Sequence, residues 1–302
     1  MGLLQQQLGP YTIGWLVISV LGGGILGALI KYLFETRLTE QFRSKQQAFQ
    51  AIRKYSYPLL LAANDVELRI ERILSIGIKR DWLSSEVVQK VQEGKGFLSN
   101  PSEEKGYFYL STLYVFARYF AWLQIFIQAV GHLDAPPSKE LRELTGILAR
   151  ICNSFRIPDI WGEDGRQTKE RPTLYRHIQT ALGETMIVRR DNDWDCLSFR
   201  EFVGKYKEPS NEWFRFWFDN LDKYYVDLCN IDIEQIDQVE PNRDRYRILR
   251  LVVLQYWFYK LVRFLDKDYK RVQKRKPDHE EIILGRLPNK YKDVVNNIPE
   301  ED

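Results

Sequence analysis

The sequence predicts a mainly α-helical protein. A single N-terminal transmembrane helix continues into a stalk and then carries an all-helical bundle domain with one small β-hairpin. Three observations predict this. An uncharged N-terminal stretch ends in a long apolar run. Apolar side chains then recur at three- and four-residue spacing through most of the chain. Only around the run DNDWD at residues 191–195 does the pattern read as strand and turn.

Residues 1–30 carry no charged side chain, and 12–30, TIGWLVISVLGGGILGALI, would cross about 28 Å as a helix, enough for a bilayer core. A cleaved signal peptide needs a basic segment before the apolar run and a small-residue cleavage site after it. Here GLLQQQLGPY precedes the run, and Lys31, Tyr32, Leu33 and Phe34 continue a helix after it. Residues 1–34 are therefore expected to remain as an anchor. Lys31, Arg37, Arg43, Lys45, Arg53 and Lys54 follow the span with no basic residue before it. That bias orients the N-terminus outside and the rest in the cytoplasm at the inner (plasma) membrane. Gly23 and Gly27 form a small-xxx-small pair where a second helix could approach, which makes a homo-oligomer one expectation. The competing reading is that glycine is simply common in membrane helices.

A polar stalk over 35–57 keeps an apolar stripe of Leu38, Phe42, Phe49 and Ile52. Pro58 is expected to restart the chain in the first turn of a helix reaching about Ile78, and the helical domain to cover 58–272. Ser84 or Ser85 caps a short helix to about Gly94. Asn100 and Pro101 open the next element, whose segment Tyr107 to Val130 has one charge, Arg118. An arginine in mid-bilayer costs several kcal/mol, so a core helix is expected rather than a second span, with Arg118 in a buried ion pair. Glu67, Glu71 and Glu184 are its candidate partners. Ser138 caps a helix to Phe155, and after the irregular loop IPDIWGEDGRQTKERP another runs from about Pro172 to Gly183. Short runs 185–190 and 196–199 flank the polar turn as a hairpin. Ser198 and Glu201 match a capping box, Ser210 caps an aromatic helix from Asn211 to about Leu228, and the last long helix spans about Pro241 to Asp268. The charged stretch 273–302, with Pro277, Pro288 and Pro299, is expected to be disordered.

Composition excludes more than it nominates. With 44% apolar and 14% aromatic residues the chain can bury a core, and 44 basic against 41 acidic side chains leave no concentrated positive field for nucleic acid. Cys152, Cys196 and Cys229 are widely separated and only three histidines accompany them, so no metal site and no cofactor is expected. Asp191, Asp193 and Asp195 begin like a calcium loop. Cys196 then stands where glycine is needed and Phe202 where glutamate is needed, so the run reads as a turn. No phosphate-binding glycine loop or GxSxG elbow occurs, and a Cys196–His177 nucleophile pair has no supporting motif. The basic residues Lys270, Arg271, Lys274 and Arg275 are candidates for headgroup contact, or simply a solvated helix end. Trp161, Glu184, Arg189 and Arg190 are the candidate pocket, because polar residues there accompany a change of local structure.

The stretches IRKYSYPLLLAANDVELRIERIL, YLSTLYVFARYFAWLQIF and ALGETMIV resemble a bacterial group of membrane-anchored, mostly helical proteins with no established activity. The resemblance lies in packing residues and implies the fold without implying chemistry. The expectation for function is a non-enzymatic scaffold or signalling protein that meets a protein partner at the cytoplasmic membrane face. Two alternatives remain open: an oligomeric membrane effector acting on the bilayer through its glycine-rich span, and a membrane-proximal enzyme using Glu184.

Overall fold

The computed structural model describes residue 50 and residues 52–77, 83, 85–93, 104–131, 139–157, 173–208, 210–222 and 243–300. The span with Gly23 and Gly27, the stalk before residue 50 and the loop with Trp161 lie outside them. The described chain is mostly helical, with one two-stranded antiparallel hairpin.

Helix α1 covers residues 52–72 and closes in a π turn at Ile73–Gly77. It runs straight through Pro58, where a restart was expected. A proline inside a helix removes a hydrogen bond and costs about 3 kcal/mol. The stripe Tyr55, Leu59, Ala62, Ala63, Val66 and Ile70 is buried on both sides of that residue and offsets the cost.

The centre of the domain is α3 (Glu104–Gly131), which packs against α2 (Ser85–Gln92), α5 (Arg176–Met186) and the elements after it. Tyr109, Leu113, Phe116, Ala117 and Phe120 are fully buried there. Among the described residues α3 is the one helix long and apolar enough to cross a membrane, and 56% of that apolar window is buried inside the protein. The buried positions of this helix are used in packing against its neighbours. Contact with α5 depends on Gly183, where an added Cβ would stand 2.7 Å from the Phe120 carbonyl oxygen. Helix α5 begins four residues later than the expected Pro172. Leu174 donates its N–H to the Phe155 carbonyl, and Tyr175 remains extended, which holds the preceding strand of chain out of the helix.

The hairpin is tighter than its sequence pattern suggested. Strands β1 (Ile187–Arg190) and β2 (Asp193–Cys196) pair with Arg190 opposite Asp193, leaving Asp191 and Asn192 as a two-residue turn. Both have positive φ, 50° and 63°, a conformation that Asp and Asn tolerate better than other non-glycine residues. The turn docks on the start of α1: Lys54 pairs with Asp193 at 2.6 Å and the Tyr55 hydroxyl donates to it at 3.0 Å. Helix α6 (Phe199–Lys207) opens with the expected capping box of Ser198 and Glu201. Helix α7 (Glu212–Asp222) follows, with Phe214, Phe218 and Leu221 facing the core.

A second layer pairs α4 (Lys139–Arg156) with α8 (Arg243–Leu265). Helix α8 is buried nearly all round, a pattern confined to interior helices. Its Arg250, 1% exposed, donates to the carbonyls of Ser154, Phe155 and Ile157 at 2.6, 3.2 and 2.9 Å. A cation thus closes the C-terminal end of α4, where free carbonyls concentrate negative potential.

The expected disordered tail is instead built against this layer. Helix α9 (His279–Gly285) and a 3-10 helix (Asn289–Val295) follow α8 and pack on it. Ile283, Leu287, Tyr291, Val295 and Ile298 are all buried. They recur every three or four residues, so the segment has a continuous apolar stripe despite its charges and prolines.

Candidate functional site

Of the predicted pocket, Glu184, Arg189 and Arg190 are among the described residues. Glu184 is exposed on α5. Arg189 lies over the Trp194 ring at 4.5 Å, and Arg190 bonds Asp195 at 2.9 Å and Glu201 at 2.5 Å on the open face of the hairpin. These are surface contacts: the first two join the strands of the hairpin, and Arg190–Glu201 joins strand to helix. Trp161 is outside the described residues.

Arg118 is half-buried, not fully buried, and its partner is Asp65 at 2.9 Å rather than Glu67, Glu71 or Glu184. Burial pushes the Asp65 carboxyl up while the Arg118 charge opposes the shift. The basic cluster is divided. Lys270 pairs with Asp268 at 2.9 Å, Arg271 lies over the Tyr57 ring at 5.3 Å, and Lys274 is exposed. Arg275 turns inward and is 7% exposed, so it is withdrawn from any headgroup contact. Cys196 is buried with its thiol pushed up to about 12 by burial, and His177 stacks on Tyr175 with centroids 6.0 Å apart. A thiol so high stays protonated near neutral pH and makes a poor nucleophile.

What the sequence reading missed is a polar clasp between α1, α8 and the C-terminal segment. Glu67 is 1% exposed. One of its oxygens accepts from Arg275 Nε at 2.9 Å and Nη2 at 2.5 Å, while the other lies 2.9 Å from His279 Nε2. Arg275 also donates to Asn64 at 2.8 Å. One turn further along α1, Glu71 accepts from Arg286 at 2.6 and 2.7 Å and from the buried Gln255 at 2.6 Å. Arg286 in turn reaches Gln255 Oε1 at 2.8 Å. Burial acts to raise the Glu71 carboxyl, but the Arg286 and Gln255 hydrogen bonds and the Arg286 charge outweigh it and hold the group below its ordinary range.

The clasp is built by geometry at both ends. Asp266, just past α8, accepts the backbone N–H groups of Lys270, Arg271 and Val272 and reverses the chain. Glu67 and Glu71 are four residues apart, on one face of α1. Arg275, His279 and Arg286 then arrive in order along the returning chain. That i,i+4 acidic pair in an apolar helix was the available sequence signal. The arrangement satisfies both carboxylates internally and fastens α1 to the C-terminal segment.

Three surfaces stand out among the described residues. A cleft of about 520 Å³ between α1 and α3 is lined by Asp65, Arg69, Arg72 and Ser75. Its Arg69 is engaged with the Phe108 carbonyl and the Thr112 hydroxyl, each at 3.3 Å. A second cleft of about 500 Å³ lies between α4 and α8, with Arg150, Trp257, Lys260 and Arg263 among its walls. The third surface is the outer face of α7, where Trp213 is 74% exposed and Phe216 49%. Their rings meet edge-on with centroids 5.7 Å apart. No family model matches the sequence, and no curated protein or solved structure matches the chain.

Proposed function

We propose that this chain is a non-enzymatic, membrane-anchored interaction protein whose helical domain holds a protein partner on the outer face of α7. One observation carries the reading: Trp213 and Phe216, three residues apart on one helix, are both exposed while Phe214, Phe218 and Leu221 of the same helix fill the core. Large aromatic side chains contribute little when left in water and much when a partner covers them, and they dominate the energetics of protein contacts. The uncharged run at 12–30 and the basic residues after it support a tether that keeps this face in the cytoplasm near the inner membrane.

Crosslinking in intact cells, followed by detergent purification and mass spectrometry, tests the reading. The wild-type chain should retain a distinct protein that the Trp213→Ala/Phe216→Ala variant loses, with little change in thermal midpoint because both side chains are exposed. Self-crosslinks alone, unaffected by this variant and abolished by Gly23→Leu or Gly27→Leu, would replace the partner reading with assembly through the span.

A further inference from the structure

Residues 298–300 lie along α4 in a way that resembles a bound peptide more than a packed turn. Asn153 is completely buried and donates its side-chain amide to the Pro299 carbonyl at 3.0 Å. Arg150 donates through Nε to the Ile298 carbonyl at 3.2 Å and pairs through Nη2 with Glu300 at 2.5 Å. Its guanidinium is braced over the Trp257 ring at 4.7 Å. Gly146 gives the acid room to lie against the helix, since a Cβ there would stand 3.3 Å from Glu300 Oε2.

We infer that the groove between α4 and α8 is a binding site for a short acidic segment containing proline, and that residues 298–300 of this chain are its resident, exchangeable ligand. The receptor groups define the pattern they accept. A buried apolar side chain is supplied by Ile298, 3% exposed. Two successive carbonyls, of Ile298 and Pro299, are read by Arg150 and Asn153. A carboxylate follows for the free end of the Arg150 fork. The same cleft continues past Arg263 and Lys267, which could meet a further acidic side chain, while Lys260 there is paired with Glu280 at 2.6 Å. Exchange is favoured because, among the described residues, every hydrogen bond and ion pair reaching 298–300 comes from Arg150 or Asn153. Apart from the buried Ile298 side chain, the segment is held among the described residues by these two groups alone, and tethering keeps it at high local concentration. A partner bearing the same pattern would compete for the groove. This site is separate from the α7 face, and the inference does not rest on that reading.

A fluorescein-labelled peptide of residues 296–302, NNIPEED, titrated by anisotropy against full-length protein in detergent micelles tests the site. The wild type should bind weakly because its own segment competes. Ile298→Asp/Glu300→Lys, which weakens the resident segment, should bind the peptide at least tenfold more tightly. Adding Arg150→Ala to that variant should remove the gain. Should the double variant fail to fold, Glu300→Lys alone alters an exposed side chain and should still raise affinity about threefold. Equal affinity for wild type and tail variants, no binding by either, or indifference to Arg150→Ala would each overturn the inference.

Discussion

Glu67 is the residue on which the C-terminal clasp turns. A carboxylate 1% exposed is tolerable only because Arg275 and His279 fill its lone pairs. Removing one partner of a buried ion pair strands the other charge, so Glu67→Ala should cost about 3–5 kcal/mol in denaturant unfolding. Replacing both charges by apolar groups of similar volume removes the stranded charge. Glu67→Met/Arg275→Met should therefore recover most of that loss. If the double variant were as unstable as the single one, the clasp would derive its worth from something other than this pair. Nothing in composition announced the pairing, because the partners stand 208 residues apart and the basic side chains belong to a cluster that reads as solvated. Arg118 shows the same difficulty: an ion pair was legible from its apolar surroundings, but its partial exposure and the choice of Asp65 depended on the rotation of α1 against α3.

Among the elements, the junction of hairpin and α6 was legible because its signals are local. Ser198 and Glu201 satisfy each other's backbone N–H groups within four residues, and Asp191–Asn192 turn the strands without glycine. Hydrogen bonds from the Ser198 hydroxyl and then its backbone N–H, followed by the Arg190 contact, bring the Glu201 carboxyl down to about 2. Because the folded value lies below the unfolded one, this contribution is fully present above about pH 4.5 and fades as pH falls towards 2. The difference in thermal midpoint between wild type and Glu201→Gln should be constant above about pH 5 and shrink through that window. A difference that does not vary with pH would contradict the assignment. Ser198→Ala should separately cost about 1 kcal/mol, as for other N-caps.

At the scale of the whole molecule, α3 and α8 meet where Tyr119 packs edge-on against Phe258, and the returning C-terminal segment fastens α1 to α8. The helices were readable because their apolar stripes have the helical period. The ordered tail was misread for a physical reason: Ile283, Leu287, Tyr291, Val295 and Ile298 carry that period too, yet intervening charges and three prolines outweigh it in composition. The candidate site was less legible than the fold. Glu184, Arg189 and Arg190 were chosen for polarity at a change of local structure, and the hairpin disposes of the two arginines as surface pairs. The face of α7 escaped notice because its aromatic residues read as one packing surface. Only the fold shows that Phe214 and Phe218 point inward while Trp213 and Phe216 do not.

Whether the outer face of α7 meets a protein is tested most simply by site-specific photo-crosslinking in living cells. A photoreactive phenylalanine analogue would replace Trp213, with Asn192 at the hairpin turn as the comparison position. A partner on this face gives a discrete crosslink from position 213 to one other protein, weak or absent from position 192. Only lipid adducts at position 213, or the same background products at both positions, would contradict it.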